Sequence, residues 1–297
     1  MGAQLRVVRR RIRSVQSTKK ITRAMELIAS SRIVKAQQRV EASRPYAVQL
    51  TEAMEDLARH SGSLSHSLLE ERPQPTRAGV LVCTSDRGLA GAYTANVIKE
   101  AETVLSSIRQ RGLEPVLYVS GKKGVGYFRF RGVPIEAEWQ GHTEVPAYEV
   151  AQQIGTRLID DFATGTIDEL YCAYTDFRSA FTLRATAQRF LPIAQLEVTG
   201  TGVKKVHAEY LFEPAPERIL DHLLPQYVIT KVYAALLESA ASENAARRRA
   251  MKAATDNADE LMKILTRQAN RARQDEITTE IMEIVGGAEA LAATSEG

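Results

Sequence analysis

The segment Cys83-Thr84-Ser85-Asp86-Arg87-Gly88-Leu89-Ala90-Gly91-Ala92 is the first place to look for chemistry. It runs from an apolar, strand-like stretch into a helix-like one. A glycine turn there can present helix N–H groups to a phosphate. Its G-x-x-G spacing lacks the full dinucleotide fingerprint, so the residues favour a tight strand-to-helix turn. Gly121-Lys122-Lys123-Gly124 also follows a strand-like run, but without the spacing or the Ser/Thr of a phosphate loop. His60, His66, His142, His207 and His222 are scattered, and none has metal-ligand spacing to a cysteine or carboxylate. No serine or cysteine sits in a nucleophile elbow. Cys83 and Cys172 lie in apolar β-like runs and read as buried strand thiols rather than as a disulfide. The residues thus assign no catalytic group, no cofactor site and no metal site.

Charge is distributed more tellingly than motifs. Residues 1–35 hold ten Lys or Arg and one acid, Glu26, whereas residues 275–297 hold six acids and no Lys or Arg. Ends of opposite charge suggest separate contacts. Arg6, Arg9, Arg10, Arg13 and Arg23 would flank an apolar helix seam. A face meeting acidic protein groups is favoured over a merely solvated face. A nucleic-acid arm ranks last, since few aromatics are interleaved for base stacking. A transit peptide is disfavoured, because the helical pattern runs well past residue 25. No apolar run approaches the ~18 residues of a membrane span, so any membrane role must come through a partner.

The elements that carry these charges are long. No Gly or Pro occurs between Ala3 and Arg44, and Pro45 is expected to end the run. A helix of that length would reach about 60 Å. Leu5, Val8, Ile12 and Val15 form a heptad seam, and Thr18, Ile21, Met25 and Ile28 continue it after a stutter. From Gln226 to Val285 there is again neither Gly nor Pro, enough for about 90 Å of helix between Pro225 and Gly286-Gly287. Val232, Leu236, Ser239, Glu243, Ala246, Ala250, Ala253 and Asn257 keep a heptad spacing that Leu261 and Ile264 extend. Helices this long are read by default as a coiled coil. One chain with two of them suggests antiparallel pairing, with the longer C-terminal helix projecting.

The middle alternates strand and helix patterns. Ala78–Cys83, Pro115–Val119 and Glu169–Tyr174 read as strands, with Gln188–Pro192 and His207–Phe212 as weaker ones. Ala92–Arg111 and Val150–Phe162 read as helices. The expected fold class is α/β: a long antiparallel coiled coil of the two end helices with a central Rossmann-like α/β domain. The expected division is 1–60 for the first helix, 61–76 for a polar linker with two prolines, 77–215 for the central domain and 216–297 for the last helix.

Four segments carry a resemblance. Ile277–Leu291 ends a helix with Ile277, Ile281, Ile284 and Val285 on one side. Ile12–Tyr46 contains Ser14–Leu27 (SVQSTKKITRAMEL) and Ala42–Tyr46 (ASRPY). Ala241–Thr278 contains Ala241–Arg247 (ASENAAR) and Ala250–Ala258 (AMKAATDNA). Ser85–Gly91 (SDRGLAG) opens the central domain. Together they resemble the gamma subunit of F-type ATP synthases, most weakly from Pro134 to Lys205. The resemblance implies a non-catalytic rotor shaft without a cofactor, turning inside a hexamer of alpha and beta subunits. It would couple proton flow through the c-ring to ATP synthesis or hydrolysis at the beta subunits. It implies contact with the beta subunit at Met25, Arg273, Gln274 and Thr278, and with the c-ring at Tyr210, Phe212 and Glu213. Ile277, Ile281, Ile284 and Val285 would form an apolar bearing in the hexamer. The epsilon subunit is the further partner, and nucleic acid is not one. The expected location is peripheral, on the cytoplasmic face of a bacterial plasma membrane. Chloroplast members carry a cysteine-bearing redox insert, which this sequence lacks.

Overall fold

The computed structural model describes residues 2–60, 66–177, 179, 182–193 and 216–295. The expected strand candidate His207–Phe212 lies outside them. Two helices dominate: α1, Gly2–His60, with 59 residues, and α5, Pro216–Ser295, with 80. Between them run β1 (Arg77–Cys83), α2 (Tyr93–Gln110), β2 (Glu114–Ser120), α3 (Lys122–Phe130), β3 (Ala137–Trp139), α4 (Tyr148–Ala163), β4 (Glu169–Phe177) and β5 (Leu183–Leu191). The chain divides into two compact units. One joins the residues up to Ile28 with those from Arg248 onward; the other is Ala29–Arg247.

Three expected helix stops are not stops. Pro45 lies inside α1, Pro225 inside α5, and α5 continues through Gly286-Gly287. Proline removes one backbone hydrogen bond and glycine costs ~1 kcal/mol, and a helix this long has enough neighbouring bonds to bridge either.

In the first unit the two helices run antiparallel. Lys19 forms an ion pair with Asp259, and the Thr22 and Thr255 hydroxyls lie 2.7 Å apart, so three residues up α1 correspond to four down α5. The seam differs from the expected one. Leu5, Val8, Ile12 and Val15 are at least half-buried, but the heptad then continues without a stutter through Lys19, Thr22 and Glu26. Thr18, Ile21 and Ile28 are exposed. On α5 the inward stripe is Met251, Thr255, Ala258, Met262 and Leu265; Ala253, Asn257, Leu261 and Ile264 face out and Ala250 is half-buried. Leu5, Val8, Ile12, Val15, Met251, Met262 and Leu265 thus fill part of the seam, while around Thr22 and Thr255 small and hydrogen-bonding residues line it and Ile21 and Ile28 are left outside.

The second unit is built on a five-stranded sheet of order β3-β2-β1-β4-β5, parallel except for the β4–β5 pair. Strand alternation divides the side chains between two cores. Val80 and Val82 of β1 pack with Val97, Ala101, Leu105 and Ile108 of α2 and with Val125 and Phe128 of α3. Leu81, Tyr118, Leu170 and Cys172 pack on the other face with Ile154, Leu158 and Phe162 of α4 and Leu224, Val228 and Val232 of α5. At Gly155, α4 approaches α5 so closely that a Cβ would sit 2.7 Å from Ile229 Cγ1. The sequence reading missed α3 and β3, which are short, at nine and three residues.

The linker is pinned. Asp168, in the turn before β4, accepts hydrogen bonds from the Thr76 and Arg77 backbone N–H groups and the Thr76 hydroxyl, and a salt bridge from Arg72 at 2.8 Å. Leu68 is buried in the core beside α4 and α5.

Candidate functional site

The glycine turn at Gly121 is structural. Gly121 has φ +103°, and a Cβ there would lie 2.5 Å from the Thr84 carbonyl oxygen. The first N–H groups of α3, where a phosphate would dock, are already used. Lys122 donates to Asp86 Oδ1 (3.0 Å), Lys123 to the Ser85 carbonyl (2.9 Å) and Gly124 to Thr84 Oγ1 (3.0 Å). Burial raises the Asp86 pKa, but the N–H groups of Gly141, Thr143 and Lys122 outweigh it and hold the carboxyl below its ordinary value. A carboxylate of the chain itself thus takes the anion position at this helix start.

In an open α/β sheet, ligands bind beyond the strand ends where the strand order reverses, here between β1 and β4. Helix α5 fills that crevice. The Thr175 N–H donates to Ser239 Oγ (3.4 Å), Ser242 Oγ to the Thr175 carbonyl (3.3 Å), and Tyr93 Oη to the Cys83 carbonyl (3.4 Å). Residues 239–247 are all buried, a run of mostly small side chains that lets the helix lie deep. The Cys83 and Cys172 thiols are buried on adjacent strands, 4.0 Å apart. Burial and the neighbouring Cys83 push the Cys172 thiol up. Ser120 Oγ lies 2.9 Å from His142 Nε2, but Ser120 is fully buried and cannot meet a substrate. No cluster of metal-ligating side chains occurs among the described residues.

The exposed residues that the sequence singled out and the structure describes lie on the helices of the first unit. Continuing the α1–α5 register sets Gly2 opposite the turn at Glu276. Beyond it α5 has no α1 partner, and residues 281–286 are all exposed. Exposure reaches 55% at Ile281, 69% at Met282 and 72% at Ile284, and Ile277 and Val285 are exposed as well. This is an uncovered apolar surface rather than a scattered residue. Arg273, Gln274 and Thr278 are exposed beside it, and Met25 is half-buried. The same register puts Met25 level with Ala253, about 30 Å along the axis from Arg273 at 1.5 Å per residue. The four residues expected to meet one partner therefore form two separate stations. Arg6, Arg9, Arg10, Arg13 and Arg23 are exposed as expected, and Arg23 pairs with Glu26 at 2.8 Å. Tyr210, Phe212 and Glu213 lie outside the described residues.

Sequence reasoning missed one charged cluster in the second unit. Glu144 takes ion pairs from Arg32 of α1, from Arg87 (3.7 Å) and from Arg247 of α5 (3.5 Å), and Arg247 also pairs with Glu243. Only the i, i+4 spacing of Glu243 and Arg247 was visible in the sequence.

Comparison with known proteins agrees with this geometry. The family described as ATP synthase matches residues 4–291. The ATP synthase gamma chain of Thermobifida fusca is 54% identical over 100% of this chain and 99% of its own. That of Mycolicibacterium smegmatis is 52% identical over 99% of this chain and 100% of its own. Among solved structures, the central stalk and c-ring of the Tetrahymena thermophila mitochondrial ATP synthase contains a chain 26% identical, with TM-score 0.58, covering 79% of this chain and 99% of that one. A chain of the Euglena gracilis mitochondrial enzyme, 17% identical with TM-score 0.67 over 100% and 97%, shares the fold. A coiled pair of long helices with a bare apolar tip, a sheet whose ligand crevice its own helix fills, and relatives matching end to end lead to one conclusion: the chain belongs to the ATP synthase gamma chain family.

Proposed function

We propose that this gamma chain acts only mechanically, with no catalytic site of its own. As a gamma chain it is the central rotor shaft of an F-type ATP synthase, a subunit of the complex that couples ion flow to ATP synthesis or hydrolysis. Its partners in this role are the alpha and beta subunits around the shaft and the epsilon subunit and c-ring at its foot. The observation that carries the reading is the tip of α5, where Ile281, Met282, Ile284 and Val285 stand exposed beyond the paired part of α1. A mainly aliphatic face can slide against a ring of subunits without settling in one orientation.

Ile277, Ile281, Ile284 and Val285 would be that bearing. Arg273, Gln274 and Thr278 would grip one beta subunit at a time, and Met25 would meet a beta subunit at the second station. The basic face of α1 would meet acidic groups of the hexamer. Tyr210, Phe212 and Glu213 would touch the c-ring. In this division 1–60 and 216–297 are the shaft, 61–76 the linker and 77–215 the body. No described helix is long and apolar enough to cross a membrane, and the relatives more than half identical, from Thermobifida fusca and Mycolicibacterium smegmatis, are bacterial. The chain would therefore sit at the cytoplasmic face of a bacterial plasma membrane through its partners.

A shaft without three-fold symmetry touches three equivalent catalytic subunits differently. Each orientation then favours a different conformation at each site, by differential contact. The test is an engineered disulfide between the α5 tip and one beta subunit of the assembled complex. Multisite ATP hydrolysis is expected to stop and to return on reduction; full turnover with the shaft fastened would overturn the reading.

A further inference from the structure

One charged cluster within the second unit ties both end helices to the sheet domain, through Arg32 of α1 and Arg247 of α5. Both pair with Glu144 in the loop between β3 and α4. That loop is itself fixed to the turn that follows β1. Asp86 Oδ2 accepts the Thr143 N–H (3.0 Å), and the Asp86 N–H donates to Thr143 Oγ1 (2.9 Å). The Glu144 and Arg247 side chains are only 16% and 5% exposed, so their attraction is weakly screened by water.

Over the stretch from Ser239 to Arg247, α5 meets the sheet through the two serine contacts with Thr175 and through this cluster. From Ser239 to Arg247 the helix carries Ser, Ala, Ala, Ser, Glu, Asn, Ala, Ala and Arg. Helices resist turning about their own axes through side-chain ridges seated in grooves. A run of alanine and serine offers little ridge. The protruding side chains here are Glu243, Asn244 and Arg247. Asn244 bonds back to the Ala240 carbonyl of its own helix at 2.8 Å, and Glu243 pairs within the helix with Arg247. Arg247 reaches off the helix, to Glu144 and to the Gly88 carbonyl (3.4 Å). An off-axis ion pair of this kind opposes both rotation and sliding where the helix surface is made mostly of small side chains.

We propose that Glu144 is a positioning residue for torque transfer, the key by which the sheet body holds α1 and α5 in fixed rotational register. The idea rests on the rotor reading and goes beyond it, because it names where the body grips the shaft. Glu144 touches neither nucleotide nor beta subunit in this account. Its loss would let the helices yield under load without weakening hydrolysis itself.

The experiment uses the assembled complex in sealed vesicles, comparing ATP-driven proton uptake with ATP hydrolysed in the same sample. Glu144→Gln is expected to lower protons moved per ATP by at least about two-fold, the lower end of the range over which single residues modulate coupling. Hydrolysis should stay near that of the unmodified chain, and Glu144→Asp should restore much of the ratio. Arg32→Gln, which removes the α1 ion pair and leaves Arg247 paired, is the second variant and should act in the same direction. An unchanged ratio in both Gln variants would overturn the proposal, as would lost assembly with a normal ratio in the complexes that form, since the cluster would then be structural only. The unmodified chain in the same vesicles tests the rotor reading separately: no coupled uptake there would refute that reading before Glu144 is reached.

Discussion

Asp168 shows how one side chain fixes a segment that has no secondary structure of its own. Burial raises its pKa, but two backbone N–H groups, the Thr76 hydroxyl and the Arg72 guanidinium bring it below the ordinary value. Asp168→Ala would leave those donors unpaired beside a side chain only 6% exposed. The expected loss is about 3 kcal/mol in chemical denaturation of the isolated chain. The pH dependence follows from the sign of the shift. The unfolded carboxyl binds its proton more readily than the folded one, so this stability is present above the ordinary carboxylate pKa and lost as pH falls through the lower folded value. The Asp168→Ala chain should therefore lose less stability on acidification than the unmodified chain. Thermal melts across the acid range check this, and parallel acid limbs would contradict it. None of this was legible in the sequence, where Asp168 is one acid among many and its donors lie more than ninety residues away.

The helices behave as elements rather than as strings of propensities. Gly155 lies in mid-α4, where glycine is normally unfavourable, because Ile229 Cα of α5 would come within 3.2 Å of a Cβ. Gly155→Val should force α4 and α5 apart and destabilise the isolated chain by about 1–3 kcal/mol or more, read as a lower denaturation midpoint. The tip of α5 should show the opposite pattern. Ile281→Asp with Ile284→Asp changes exposed positions, so stability should stay within about 0.5 kcal/mol per site. ATP turnover of the assembled complex should nonetheless fall, and turnover equal to the unmodified complex would remove the bearing role from these residues.

At the scale of the whole molecule, the fold places a helix where many α/β sheets place a ligand. Ser239, Ser242 and Tyr93 fill the β1–β4 crevice with internal hydrogen bonds, and Asp86 takes the anion position at the start of α3. Calorimetry of the isolated chain with Mg-ATP is expected to show no saturable binding; micromolar affinity would show that the crevice can open. The same arrangement makes the sheet a seat for α5, which suits a part that must pass torque.

Some of this the sequence determined alone. Long stretches poor in Gly and Pro, with apolar residues at heptad spacing, specify two long helices, and short apolar runs between turn residues specify a sheet. These signals are local, so they survive without knowledge of the partner. Leu5, Val8, Ile12 and Val15 were correctly placed in the seam for that reason. Tertiary structure decided what depends on the opposite surface. Lys19 and Thr22 turn inward, and Ile21 outward, because Asp259 and Thr255 face them across the coil. The inward stripe of α5 moves by one residue past Ala246, because the helix passes there from full burial in the domain to one-sided pairing with α1. Pro45, Pro225 and Gly286-Gly287 were read as stops because their local cost is certain, while the helical bonds around them are visible only in three dimensions. The Glu144 cluster gathers residues 32, 87, 144, 243 and 247, and only folding brings such distant charges within reach of one carboxylate.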